Sequence, residues 1–82
     1  MQDPTQTLNI IRDVVWALVG QKLRDDDAIL TSGLIDSLSI LKLIASLENR
    51  LGLKIPTVQV QPEDFDSVDT IRDTLERVAI WN

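Results

Sequence analysis

The sequence predicts an all-α fold: a small four-helix bundle of three main helices plus one short helix, with a long loop between the first two. Three observations predict it. Apolar residues recur at helical spacing in three separate stretches. Glycine, proline or a capping residue punctuates the ends of those stretches. The chain has 82 residues, 44% of them hydrophobic and 26% charged, which suits one globular domain over residues 1–82 rather than two domains or a disordered chain.

The first helix is expected from about Thr7 to Val19. Leu8, Ile11, Val15 and Leu18 form one apolar stripe, and Gly20 offers a stop. From Gly20 to Ile35 no periodicity is sustained. Asp25, Asp26 and Asp27 read as a solvated acidic run, while Ile29, Leu30, Leu34 and Ile35 are expected to pin the loop to the bundle. A loop of roughly 16 residues is longer than most helix connections, which suits a functional loop and equally a crossover between parallel helices. The second helix begins at Asp36 or Ser37, both good N-caps, and ends near Leu51, before Gly52. Pro56 blocks continuation after Leu53-Lys54-Ile55. Pro62-Glu63-Asp64-Phe65 reads as a single helical turn, with proline first and acids where the dipole favours them. Ser67 caps the last helix, from Val68 to about Ile80, whose stripe is Val68, Ile71, Leu75 and Val78.

The second helix has two apolar directions. With about 100° per residue, Leu43, Ile44, Leu47 and Leu51 fall within about 60° of Ile40. Leu38, Leu41 and Ala45 lie roughly 100° to 160° away. Either the helix is central and contacts neighbours on two sides, or the second group is a surface patch for partners. Lys42, Ser46 and Glu48 border that group and favour the patch. The candidate partner-binding residues are therefore Leu38, Leu41, Lys42, Ala45 and Glu48.

Composition excludes several kinds of chemistry. There is no cysteine and no histidine, which removes disulfides, thiolate metal sites and most Ser-His or Cys-His nucleophile designs. The net charge is -5, which disfavours nucleic acid and favours basic protein partners. Met1 to Thr7 lacks a signal pattern and no apolar run approaches bilayer length, so a cytoplasmic protein with no membrane partner is expected. Met1 opens the chain and Asn82 follows just beyond the last helix, as in a free-standing protein. Calcium binding over Asp25 to Asp36 fails because Ile29 and Leu30 stand where an oxygen ligand and glycine are required.

Gly33-Leu34-Ile35-Asp36-Ser37-Leu38 resembles the signature of acyl and peptidyl carrier proteins, a glycine and an apolar pair before Asp-Ser-Leu. Leu51-Gly52-Leu53-Lys54-Ile55-Pro56 and Phe65-Asp66-Ser67-Val68-Asp69-Thr70-Ile71 resemble that family's segments after the second helix and before the last. The likeness spans about Leu8 to Val78. It implies an acyl-carrier-like bundle that is not an enzyme. It also implies that Ser37 receives 4′-phosphopantetheine from coenzyme A, through a phosphopantetheinyl transferase, and that Asp36 and Leu38 contribute to recognition. A serine with no histidine to activate it suits a substrate of another enzyme better than a catalyst. A phosphodiester there would sit at a helix N-terminus, where the dipole favours negative charge. On the residues alone, Ser37 and Asp36 are also plain helix caps and Leu38 ordinary packing.

The family's fatty-acid members have a strongly acidic second helix. Here that helix holds only Glu48 as an internal acid, with Lys42 and Arg50 beside it, and the acidity lies in Asp25–Asp27 and in Glu63, Asp64 and Asp66. The expectation is a monomeric carrier of an acyl or aminoacyl thioester in a specialised polyketide, nonribosomal or aminoacyl pathway, with loading and downstream biosynthetic enzymes as partners. The competing reading is an unmodified helical adaptor, in which Ser37→Ala costs only a lost cap, about 1 kcal/mol.

Overall fold

The computed structural model describes residues 3–81. Met1 and Asn82, on which the expectation of a free-standing chain rested, lie outside them. Helix α1 spans Pro4–Val19, α2 Ser37–Leu51 and α3 Val68–Val78. Leu53–Lys54 (β1) and Ile80–Trp81 (β2) form a two-stranded antiparallel ladder, and 3-10 turns occupy Thr57–Gln59 and Pro62–Phe65.

Helix α1 starts earlier than the apolar stripe predicts. The Asp3 carboxylate accepts the Thr5 N–H at 2.8 Å and Pro4 takes the first helical position. An aspartate cap followed by proline pre-sets a helix start without any apolar residue. At the far end Gly20, at φ 85°, donates its N–H to the Trp16 carbonyl, a left-handed stop that suits glycine.

The all-α expectation needs two corrections. The expected short helix falls at Pro62–Phe65 as a single turn, but of 3-10 geometry, so the described residues hold three α-helices and no fourth of α type. Helix α3 also ends at Val78 rather than Ile80: Ala79 is extended, at φ -66° and ψ 141°. Ile80 and Trp81 then pair with Lys54 and Leu53 respectively. Gly52, at φ 67°, turns the chain out of α2 so that Leu53 enters the core and Lys54 faces water. That alternation is the period-2 pattern of a strand, here too short to read from sequence.

One core holds the elements together. It takes Ile11, Val14 and Val15 from α1, Ile40, Leu43, Ile44, Leu47 and Leu51 from α2, and Val68, Ile71 and Leu75 from α3. Phe65 is fully buried, which is what the second 3-10 turn contributes. The loop between α1 and α2 supplies Ile29 and Ile35, while Leu30 is only partly buried and Leu34 is exposed. Two of the four residues expected to pin the loop are thus fully in the core.

The acidic run is not simply solvated. Asp25 takes both an Nε–H (2.8 Å) and an NH2 (2.6 Å) hydrogen bond from Arg12, and its carbonyl accepts the Asp69 N–H at 3.0 Å. Asp27 accepts the Arg24 N–H at 2.8 Å. Trp16 is half-buried, and its indole N–H donates to the Leu23 carbonyl at 3.2 Å. No helix among the described residues is long and apolar enough to cross a membrane.

Candidate attachment site and the exposed face of α2

The loop delivers the chain to α2 through a small closed lobe. The Ile35 N–H bonds to the Ile29 carbonyl at 2.9 Å, and inside that closure the Gly33 N–H bonds to the Leu30 carbonyl at 3.0 Å. Gly33 sits at φ 84°, in the left-handed region where a side chain would be strained. Ile29 and Ile35 anchor the base of the lobe in the core, and Thr31 to Leu34 form its exposed tip.

The residue after Ile35 decides how α2 begins. Asp36 is the N-cap, extended at φ -103° and ψ 176°, and its carboxylate accepts the Ser39 N–H at 2.9 Å. Hydrogen bonding from Ser39 holds the Asp36 carboxyl below the usual carboxylate range. Ser37 is the first helical residue. It is exposed, and its hydroxyl bonds to none of the described residues. Which of the two residues caps the helix, open in the sequence, is thereby answered: Asp36 caps, and Ser37 is spared that duty.

Leu38, Leu41 and Ala45 lie on the outside of α2. Leu38 is 73% exposed and Leu41 62%, and Ala45, Lys42 and Ser46 are exposed beside them. The second apolar direction is therefore a surface patch, not a second buried contact. Glu48 stands at its edge with an internal duty, because its Oε2 accepts the Ile55 N–H at 2.9 Å. A shallow groove of about 390 Å³ between α1 and α2 adjoins this patch, lined by Val14, Leu18, Leu43 and Arg50 together with Lys42 and Ser46, which it shares with the patch.

Of the buried polar side chains, Ser67 and Thr74 are both committed: Ser67 caps α3 by accepting the Thr70 N–H, and Thr74 donates to the Asp64 carbonyl. Among the described residues no buried side-chain polar atom lacks a partner, and no group of three or more acids could hold a metal ion. Among the described residues no side chain stands hydrogen-bonded to the Ser37 hydroxyl as a base would.

The sequence places Asp66 in a charged cluster and in the segment before the last helix, without giving it a role. Its carboxylate Oδ1 accepts the N–H groups of Leu30 (2.8 Å) and Thr31 (3.0 Å), its Oδ2 accepts the Thr31 hydroxyl (2.8 Å), and its carbonyl accepts the Ile29 N–H (2.7 Å). Burial pushes its carboxyl upward, and the bonds from Thr31, Leu30 and Ile29 outweigh that, leaving it below the usual range. No local signal joins residues so far apart in the chain.

Comparison with known proteins finds a family and a relative for this chain. The family described as "Phosphopantetheine attachment site" matches residues 9–78. A D-alanyl carrier protein of Streptococcus suis (strain 98HAH33) is 30% identical over 64 residues, which cover 78% of this chain and 78% of that protein.

Proposed function

We propose, from the premise that this chain belongs to the phosphopantetheine-attachment family, that Ser37 is the residue to which the arm is joined and that the cargo is an aminoacyl group. The chain is a carrier protein, and its prosthetic group is covalently attached 4′-phosphopantetheine. When bound, that group supplies a flexible arm ending in a thiol, on which cargo is held as a thioester.

The observation that carries the reading of Ser37 is its exposed, unpartnered hydroxyl in the first turn of α2, beside a cap made by another residue. A serine used as the cap would have its oxygen committed to the backbone. This one is free for a transferase to approach. The first turn also fits the group electrostatically, because backbone N–H groups and the helix dipole favour a phosphodiester there. Asp36 holds the start of α2 in place and keeps its carboxylate charged, a second feature for a transferase to read.

Leu38, Leu41, Lys42 and Ala45, with Glu48 at the edge, form the face proposed to meet the phosphopantetheinyl transferase and the loading and downstream enzymes. Their exposure next to Ser37 supports that role. In this reading the Pro62–Phe65 turn stands where a four-helix carrier bundle has its short helix. The chain does no catalysis of its own, and it works in the cytoplasm, where coenzyme A and the transferase supply its arm. The aminoacyl cargo is supported by the D-alanyl carrier relative, while the mixed charge of α2 supports only a specialised pathway. The unmodified-adaptor reading is not favoured, because the family match spans nearly the whole chain.

The test is intact mass after incubation with coenzyme A, magnesium and a broad-specificity phosphopantetheinyl transferase, with Ser37→Ala alongside. One added phosphopantetheine on the parent and none on the mutant is expected. Modification of the mutant would place the arm elsewhere. The cargo is then read by offering the modified protein to amino-acid-adenylating and malonyl-transferring enzymes. Loading by the second class alone would reject the aminoacyl reading.

A further inference from the structure

We propose that Asp66 is a positioning residue for the modification of Ser37, acting through the loop and not on the serine itself. The inference rests on Ser37 being the attachment residue.

The loop has no ladder or helix of its own to satisfy its backbone. Asp66 supplies acceptors to three successive N–H groups, those of Ile29, Leu30 and Thr31, and its second carboxylate oxygen takes the Thr31 hydroxyl. The anchored Ile29 then accepts the Ile35 N–H at 2.9 Å, and the next residue, Asp36, caps α2. The Asp66 carboxylate therefore fixes Leu30 and Thr31 inside the lobe, next to Ile29, which the Asp66 main-chain carbonyl holds and whose own carbonyl leads through Ile35 to the first turn that holds Ser37. Asp66 is not required to start its own helix, since Ser67 caps α3 through the Thr70 N–H at 3.1 Å. Its side-chain hydrogen bonds all go to Leu30 and Thr31.

Removing the carboxylate leaves the body of α2 fixed by its five buried residues. What loosens is the lobe and the start of the helix, the part a transferase must hold still while the serine reacts. Small misplacement of a reacting group is costly even when its cause lies far from the chemistry. Asparagine in place of Asp66 can accept both N–H groups with its oxygen and donate its NH2 to the Thr31 hydroxyl oxygen, so the geometry survives loss of charge.

The experiment follows phosphopantetheine transfer by time-resolved intact mass for the parent, Asp66→Ala, Asp66→Asn and Thr31→Val. The same broad-specificity transferase is used, at a temperature well below the lowest measured unfolding temperature. Asp66→Ala is expected to lose on the order of ten- to a hundredfold in kcat/KM. Asp66→Asn should stay within about threefold of the parent, and Thr31→Val should fall between them. A folded Asp66→Ala modified at the parental rate overturns the proposal, as does an Asp66→Asn that falls as far as the alanine variant. If Asp66→Ala does not fold, Thr31→Val decides, and parental rates in that variant overturn the proposal. A parent that gains no phosphopantetheine, or a Ser37→Ala that gains it, instead defeats the attachment reading beneath.

Discussion

Asp36 and Ser37 are neighbours with opposite relations to the helix that starts between them. Asp36 gives its carboxylate to the Ser39 N–H, while the Ser37 hydroxyl bonds to none of the described residues. The two alanine variants should therefore separate cleanly. Asp36→Ala is expected to lower the unfolding temperature by about 4–8 °C, the shift from losing one helix cap in a domain this size. Ser37→Ala should leave that temperature nearly unchanged and abolish phosphopantetheine addition. The comparison is made by thermal unfolding of the unmodified proteins, and a Ser37→Ala variant as unstable as Asp36→Ala would return the serine to a capping role. The sequence could name both residues as candidates but could not divide the two duties between them. Aspartate and serine cap about equally well, and the choice depends on the extended backbone that the lobe imposes on Asp36.

At the scale of elements, α2 was the most legible part of the chain. Its length and amphipathicity set the buried stripe, and all five residues assigned to it are buried. Its outer face was legible as a direction, but whether that direction met solvent depended on where α1 and α3 pack. Leu38 and Leu41 proved largely exposed, so Leu38→Ala and Leu41→Ala should each change stability by no more than about 0.5 kcal/mol. If this face docks partners, the pair should raise the KM of the transferase or the loading enzyme while the helix content stays parental by circular dichroism. An unaltered KM in the double variant would leave the patch without a partner. The loop was the least legible element. Its ties to Arg12, Asp66 and Asp69 are long-range, and a run of three aspartates gives no local sign that Asp25 faces an arginine. The β1–β2 ladder escaped for a related reason: two residues on each side carry too little pattern to be distinguished from the end of a helix.

For the whole molecule, the same acids that tie the loop down set its response to pH. Asp25 is held below the usual carboxylate range chiefly by its hydrogen bonds from Arg12, Asp66 by bonds from the loop against the cost of burial, and Asp36 by the Ser39 N–H. In each case the folded value is depressed, so between it and the ordinary value near about pH 4 the unfolded chain binds more protons than the folded one. Stability contributed by these groups is fully present above the ordinary value and is lost as pH falls through the folded ones. Overall charge acts in the opposite direction at first, since protonation relieves the repulsion of a chain with net charge -5. That relief ends at the isoelectric point, about 4.4. Below it the chain gains positive charge, and repulsion adds to the loss of the loop ties. With no histidine or cysteine, no side chain has an ordinary value between about pH 5 and 8. The expected curve of unfolding temperature against pH is therefore nearly flat through neutrality and steep below about pH 4. An Asp25→Asn, Asp66→Asn double variant should show a shallower acid limb than the parent, because two of the depressed groups no longer titrate. An acid limb as steep in that variant as in the parent would mean that the loop ties do not govern acid unfolding.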